Sequence, residues 1–142
     1  MSRRFFEDVA PAEEVTPLAK VPSNVALFRF SAATWNAHRI HYDEAYARSE
    51  GQPGVVVQGY LFGAYLAQML QAWAGEGAQL RRLTYSNRRP AFAGDALTCR
   101  GRVSAKREEA GTGMVDLEVW VENAAGEVCT PGTATLVFPR RA

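Results

Sequence analysis

Hydrophobic and polar positions give the second half of the chain a period of two. Between Ala96 and Arg107, Leu97, Cys99, Gly101, Val103 and Ala105 alternate with Thr98, Arg100, Arg102, Ser104 and Lys106. Between Met114 and Asn123, Val115, Leu117, Val119 and Val121 alternate with Asp116, Glu118, Trp120 and Glu122. Such alternation turns one set toward a core and the other toward water, so both runs predict strands. Leu80 to Arg89 and Glu127 to Phe138 predict two more, with Pro131 forcing a bulge or an edge position in the last. Turn sequences at Ala110-Gly111-Thr112-Gly113 and Asn123-Ala124-Ala125-Gly126 join neighbours as hairpins, hence an antiparallel sheet.

The first half reads differently. Val55-Val56-Val57-Gln58 leads into Gly59 to Trp73, where polar interruptions are confined to Gln68 and Gln71. That pattern predicts a helix apolar on nearly every face, placed at the centre of the fold and wrapped by the strands that follow. At about 22 Å it is too short to cross a bilayer. Its amino end, at Gln58-Gly59, would present unpaired backbone N–H groups. Asp43 is positioned to cap a short helix over Glu44 to Glu50, which Gly51 and the Gln52-Pro53-Gly54 turn would end. Asn24 to Ala37 begins as strand or helix, with Ser31 as a candidate cap for a turn over Ala32 to Asn36. Residues 7–23, with Pro11, Pro17 and Pro22, predict an extended arm with one short strand. The expectation is a single α+β domain over 1–142, a curved antiparallel sheet around one long central helix, with 1–23 as its N-terminal arm.

Composition narrows the function classes. The 142 residues are 47% apolar and 22% charged with a net charge of +1, which gives no electrostatic case for nucleic acid. Cys99 and Cys129 make no disulfide framework and no Cys/His metal cluster. Met1-Ser2-Arg3-Arg4-Phe5-Phe6 meets Glu7 and Asp8 at once and so lacks the apolar core of a signal peptide. We therefore expect no metal, no nucleic-acid or membrane partner, and a soluble cytoplasmic protein.

The densest polar cluster is Asn36-Ala37-His38-Arg39-Ile40-His41-Tyr42-Asp43, which holds both histidines of the chain just ahead of the apolar helix. A near-neutral imidazole beside a helix amino end suits acid–base work at a thioester carbonyl, where negative charge develops on oxygen. The spacing equally allows His38 and His41 to be loop residues that cap neighbouring backbone. No Ser-His-Asp or Cys-His arrangement is indicated, and no glycine-rich phosphate loop.

Phe30 to Asp43 followed by Pro53-Gly54-Val55-Val56-Val57-Gln58-Gly59 resembles the hydratase motif of the MaoC-like hot-dog family. Arg88-Arg89-Pro90-Ala91-Phe92-Ala93-Gly94-Asp95 is similar to the Pro-x-Phe-x-Gly-Asp block that opens a later strand in that family. Asn-Ala-His-x-Ile-His-Tyr-Asp looks like the subgroup of mitochondrial 3-hydroxyacyl-thioester dehydratases and mesaconyl-CoA hydratases. The resemblance runs from about Leu27 to Phe138. It implies a hot-dog fold, normally paired as a homodimer or with a second hot-dog chain, and reversible hydration of a 2-enoyl thioester without a cofactor. The acyl carrier would be coenzyme A or acyl carrier protein. His41 falls on the catalytic histidine, Asn36 on the position usually held by aspartate, and Gly59 on the glycine whose N–H polarises the thioester carbonyl. Asparagine cannot take a proton, so His41 would carry the acid–base load, with His38 as a possible helper. Gln58 replaces the usual histidine before that glycine. Gln58 would bear on local packing and substrate choice; Tyr60, Phe62 and Tyr65 would either meet the acyl chain or pack in the core, and Arg88 and Arg89 would either meet the phosphates of coenzyme A or form a solvated face. The competing readings are an acyl-CoA thioesterase, weakened by the absence of an acidic residue on the helix, and a catalytically silent acyl-binding subunit.

Overall fold

The computed structural model describes residues 3–141. In chain order the elements are β1 (Leu18–Lys20), α1 (Asn24–Thr34), α2 (Glu44–Ser49), α3 (Gly59–Ala74), β2 (Gln79–Tyr85), β3 (Leu97–Glu109), β4 (Thr112–Glu122) and β5 (Val128–Phe138), with 3₁₀ turns at Phe6–Asp8 and Arg39–His41. The strands form one antiparallel sheet in the order β1-β3-β4-β5-β2, curled over α3.

The hairpin β3–β4 turns at Ala110 and Gly111, both at positive φ (49° and 76°), the conformation that matches the twist of a tight hairpin. The β4–β5 turn is knotted by Asn123, whose Oδ1 accepts from the Ala125 and Glu127 N–H groups. β2 does not continue this meander. It crosses to the far side and pairs with β5, from Gln79 opposite Val137 to Tyr85 opposite Gly132.

Pro131 lies in an interior strand, so the edge alternative is corrected. The irregularity falls two residues earlier: Thr130 faces Val121 and Val128 faces Glu122, leaving Cys129 as an extra residue in β5. A second irregularity in β3 changes which side chains point inward. Val103 pairs with Leu117 but Ala105 with Asp116, so beyond Ser104 the faces exchange and Ala105 is exposed. Lys106 instead turns its stem inward, its ammonium 4.4 Å from the Phe6 ring centre and bonded to the Val9 carbonyl.

α3 packs on β2, β3, β4 and β5 through Leu61, Phe62, Leu66, Met69 and Leu70, all buried. It is not enclosed all round, as its apolarity predicted: Tyr60, Ala64, Gln68 and Gln71 are exposed. The sheet covers one stripe of the helix, and beyond Tyr60 the other stripe carries small or amide-bearing residues. Residues 24–34 are helix rather than strand, and their cap is Ser23, whose hydroxyl accepts from the Ala26 N–H at 3.1 Å. Ser31, expected as a cap, lies buried in the last turns of α1. Pro22 ends the preceding extended segment, so the first free N–H groups arise at Ser23 and not eight residues later. α2 follows its prediction: Asp43 Oδ1 accepts from Tyr46 N–H at 3.0 Å, and Gly51 leaves the helix at φ 80°. The N-terminal residues are stitched to the sheet: Val9 and Val15 are buried, and the Val15 N–H donates to the Gly101 carbonyl.

Candidate active site

Three segments that are distant in sequence meet at the amino end of α3. Residues 55–57 run extended between the other two. On one side the Val56 N–H donates to the Ile40 carbonyl at 2.9 Å; on the other, Val57 N–H donates to Ala91 O and Ala93 N–H to Val55 O, both at 2.9 Å. The valine triplet is therefore the spine that holds the histidine turn and the loop before β3 at fixed distances from Gly59.

His41 is 8% exposed. Its Nδ1 lies 2.7 Å from the Val56 carbonyl oxygen, which can only accept, so Nδ1 carries the proton and Nε2 keeps its lone pair. Burial pushes the imidazole below its ordinary pKa; the bond to Val56 opposes that shift, and the charge of His38 adds a smaller push in the same direction as burial. The ring is thus held neutral, in one tautomer and one orientation.

A cavity of about 300 Å³ opens beside it, lined by His41, Val56, Val57, Gly59 and Phe62 together with Asn87 to Pro90. The imidazole and the amino end of α3 share this space. No side chain at residue 58 caps the helix, so its first N–H groups have no side-chain acceptor there. At Gly59, an added Cβ would sit 2.2 Å from the Asn87 Nδ2, so any larger residue there would have to push the Asn87 side chain aside.

The other expected residues are distributed unevenly. Arg88 and Arg89 line the cavity; Arg89 is paired with Glu127 at 2.9 Å, and the Arg88 Nε donates to the Ser86 hydroxyl at 3.3 Å. Asn36 lies elsewhere, in a separate apolar groove of about 440 Å³ with Phe28, Ser31, Ala32, Trp35, Ala37 and Tyr42. There its Oδ1 accepts from the His38 N–H at 3.3 Å. His38 is exposed, its ring edge-on to His41 with centres 5.8 Å apart. Gln58 is wholly buried and does not line the cavity: its Nε2 donates to Leu27 O at 2.7 Å and to Ser31 Oγ at 2.9 Å, clamping α1 to the start of α3. Tyr60 is exposed and does not line the cavity. Tyr65 sits farther along α3, half-buried, its ring 5.3 Å from the Lys20 ammonium. Both cysteines are buried thiols, and burial raises that of Cys99 to about 12. Among the described residues, no cluster of three or more His, Cys, Asp or Glu is placed to hold a metal ion, and no helix is long and apolar enough to cross a membrane.

Sequence reasoning did not single out Asn87, Thr130 or the Val56 carbonyl. A backbone acceptor leaves no trace in residue identity, and Asn87 stands in a polar run after a strand where asparagine is ordinary. The one available signal was Gly59 itself, since a glycine opening a helix implies that something approaches it closely.

Comparison with known proteins supplies the lineage. The profile of the family described as hydroxyacyl-thioester dehydratase type 2 matches residues 7–93, more than half of the chain. Over 63 residues the chain is 46% identical to a mesaconyl-C(4)-CoA hydratase of Chloroflexus aurantiacus; the match covers 44% of this chain and only 22% of that relative. Among solved structures, an unliganded R-hydratase from Pseudomonas aeruginosa superposes with a TM-score of 0.87 at 22% identity, covering 96% of this chain and 86% of that one. A chain of the ChsH1-ChsH2 complex from Mycobacterium tuberculosis gives a TM-score of 0.82 at 19% identity over 91% and 98% of the two chains. At these identities the two likenesses establish the fold, and it is the expected hot dog.

Proposed function

We propose that this chain, which belongs to the hydroxyacyl-thioester dehydratase type 2 family, reversibly hydrates a 2-enoyl thioester to the 3-hydroxyacyl thioester. The observation that carries the reading is the shared cavity: a buried, neutral imidazole with a free Nε2 and the open amino end of α3 face one space of about 300 Å³.

In the hydration direction, a water held at His41 loses a proton to Nε2 as its oxygen bonds to C3. The C2–C3 π pair moves toward the carbonyl, and an enolate oxygen forms at the Gly59 N–H and the positive end of the α3 dipole. The imidazolium then returns its proton to C2, which regenerates the neutral ring and completes the addition. One residue serves as base and then as acid, which suits a chain whose aspartate position holds Asn36. The lowered pKa favours this cycle, since a ring that protonates reluctantly gives its proton back readily. Phe62 offers the acyl chain an apolar wall. Arg88 and Arg89 offer the carrier's phosphates positive charge, Arg89 after parting from Glu127. No cofactor is needed for these steps, and coenzyme A or acyl carrier protein serves as the carrier in the cytoplasm.

The outer edge of β2 and the uncovered face of α3 make pairing with a second hot-dog domain, identical or different, part of this reading. The silent-subunit alternative draws on one observation, that Asn36 lines a different hollow from His41. The decisive experiment follows loss of enoyl absorbance with crotonyl-CoA and with mesaconyl and longer enoyl thioesters. Hydration by the wild type and none by His41→Ala supports the enzyme. Equal inertness of both, alone and with a partner chain of the same fold, would establish the silent subunit instead.

A further inference from the structure

Asn87 has an orientation that neither capping nor simple packing explains. Its Oδ1 accepts from the hydroxyl of Thr130, which is wholly buried, at 3.2 Å. That bond turns Nδ2 the other way, onto Gly59, in contact so close that the position of a Cβ at 59 lies 2.2 Å from Nδ2 and 3.1 Å from Cγ. An asparagine that capped α3 would point its oxygen at the free N–H groups there. Here the amide presents its donor to the end of the helix that already carries unpaired donors and the positive dipole. Among the described residues Nδ2 donates to no protein atom. Asn87 is exposed, so Nδ2 and the helix N–H groups are left to water or to an electron-rich atom that can accept from both.

The placement is built, not incidental. The loop is held on both sides of Asn87: Ser86 N–H donates to Pro131 O at 3.1 Å, and the N–H groups of Arg88 and Arg89 both donate to Cys129 O at 2.9 and 3.1 Å. That carbonyl belongs to the extra residue of the β5 bulge. One turn along α3, Gly63 receives the Tyr85 ring in the same way, its hypothetical Cβ 2.4 Å from the Tyr85 hydroxyl oxygen. Gly59 and Gly63 thus form a notch in α3 into which the end of β2 and its following loop are pressed.

Resting on the thioester reading above, we infer that Asn87 is the second donor of the oxyanion site: its Nδ2–H and the Gly59 N–H together hold the thioester carbonyl oxygen and the enolate it becomes, with Thr130 fixing the amide. Two donors from different segments converge on one oxygen, and the carbonyl is thereby aimed so that C2 and C3 lie toward His41.

The test compares wild type, Asn87→Ala and Asn87→Asp. With crotonyl-CoA, Asn87→Ala lowers kcat about 10²-fold with KM within about threefold, as loss of one oxyanion donor does. Asn87→Asp places negative charge at the helix amino end, so it keeps or raises the melting temperature while lowering kcat at least as far; a packing role would not separate the two readouts. A second measurement needs no turnover: the infrared carbonyl stretch of bound butyryl-CoA carrying ¹³C at the thioester carbon. It shifts to lower frequency in the wild type and recovers part of that shift in Asn87→Ala. A kcat for Asn87→Ala within about threefold of an active wild type, or a carbonyl band that does not respond to Asn87, overturns the inference and leaves the hydratase reading standing. A wild type inert toward every enoyl thioester overturns that reading, yet an Asn87-dependent carbonyl shift would still establish the carbonyl site. Failure to bind butyryl-CoA, or a bound carbonyl at the free frequency, ends it.

Discussion

Two hollows draw on the segment 36–42, and they differ in kind. The groove that takes Asn36 is walled by Phe28, Trp35 and Tyr42, and its main polar groups, Asn36 and the Ser31 hydroxyl, are already engaged with neighbours. The smaller cavity that takes His41 gathers an imidazole with a free lone pair, a helix amino end, a carboxamide tied through its oxygen to Thr130 with its Nδ2 turned toward Gly59, and two arginines. Volume and apolar area alone would favour the first as a binding site. Chemistry favours the second, because only there do unsatisfied donors and acceptors converge. The larger hollow can still accommodate acyl chain, but it holds nothing that would move a proton.

The sharpest way to break that contrast is His41→Ala, which should lower crotonyl-CoA hydration by more than about 10³-fold while the fold, read by circular dichroism, is retained. Residual turnover within about tenfold of wild type would shift the chemistry elsewhere. Gly59→Ala comes next. Its methyl group must displace Asn87, and we expect kcat to fall about 10- to 10²-fold with a lower melting temperature. Asn36→Ala should lower turnover by up to about tenfold without unfolding the domain; unchanged turnover would assign Asn36 to the groove alone. Trp35→Gly is the mildest. Trp35 is 94% exposed and ends α1 at φ 55°, where glycine carries no strain. The variant should gain up to about 1 kcal/mol of stability in denaturant unfolding, and a raised KM confined to long enoyl chains would show that they reach the groove.

The pH dependence separates the hollows as well. His41 has a lowered pKa in the folded state, so between that value and the ordinary 6.5 the unfolded chain binds the extra proton. Stability therefore rises with pH through this window, is fully present above 6.5, and is lost as pH falls through the folded value. kcat/KM should fall on the acid side at a pH below 6.5, and His41→Gln should remove its share of the acid-side loss of stability. Asn36→Ala should leave both profiles where they are.

Much of this was legible in the sequence because it is local. Alternation set β3 and β4, Asp43 announced α2, and the run after Gly59 set α3 to within a residue of its end. Apart from the cap, which Pro22-Ser23 sets locally, the misreadings are long-range. Whether 24–34 forms helix or strand depends on burial of Leu27 in the core and on the Gln58 clamp, which no local window contains. The exposed face of α3 depends on how far the sheet wraps, and the outward turn of Ala105 on a single extra residue upstream. At the site, the pairing of His41 with Gly59 could be anticipated from their motifs, while Asn87 could not. Its placement depends on Thr130, forty-three positions away, and on the neighbouring Cys129 carbonyl in the same strand.

The irregularity at Cys129 has a mechanical corollary. By slipping one residue out of the ladder, β5 frees a backbone oxygen to serve as a peg on which the 86–90 loop hangs by two strings. The hollow beside His41 is thereby fastened to an interior strand of the sheet instead of to a floating connection. Deleting the surplus residue would remove both that peg and a buried core thiol, so substrate preference should drift and the melting point fall together.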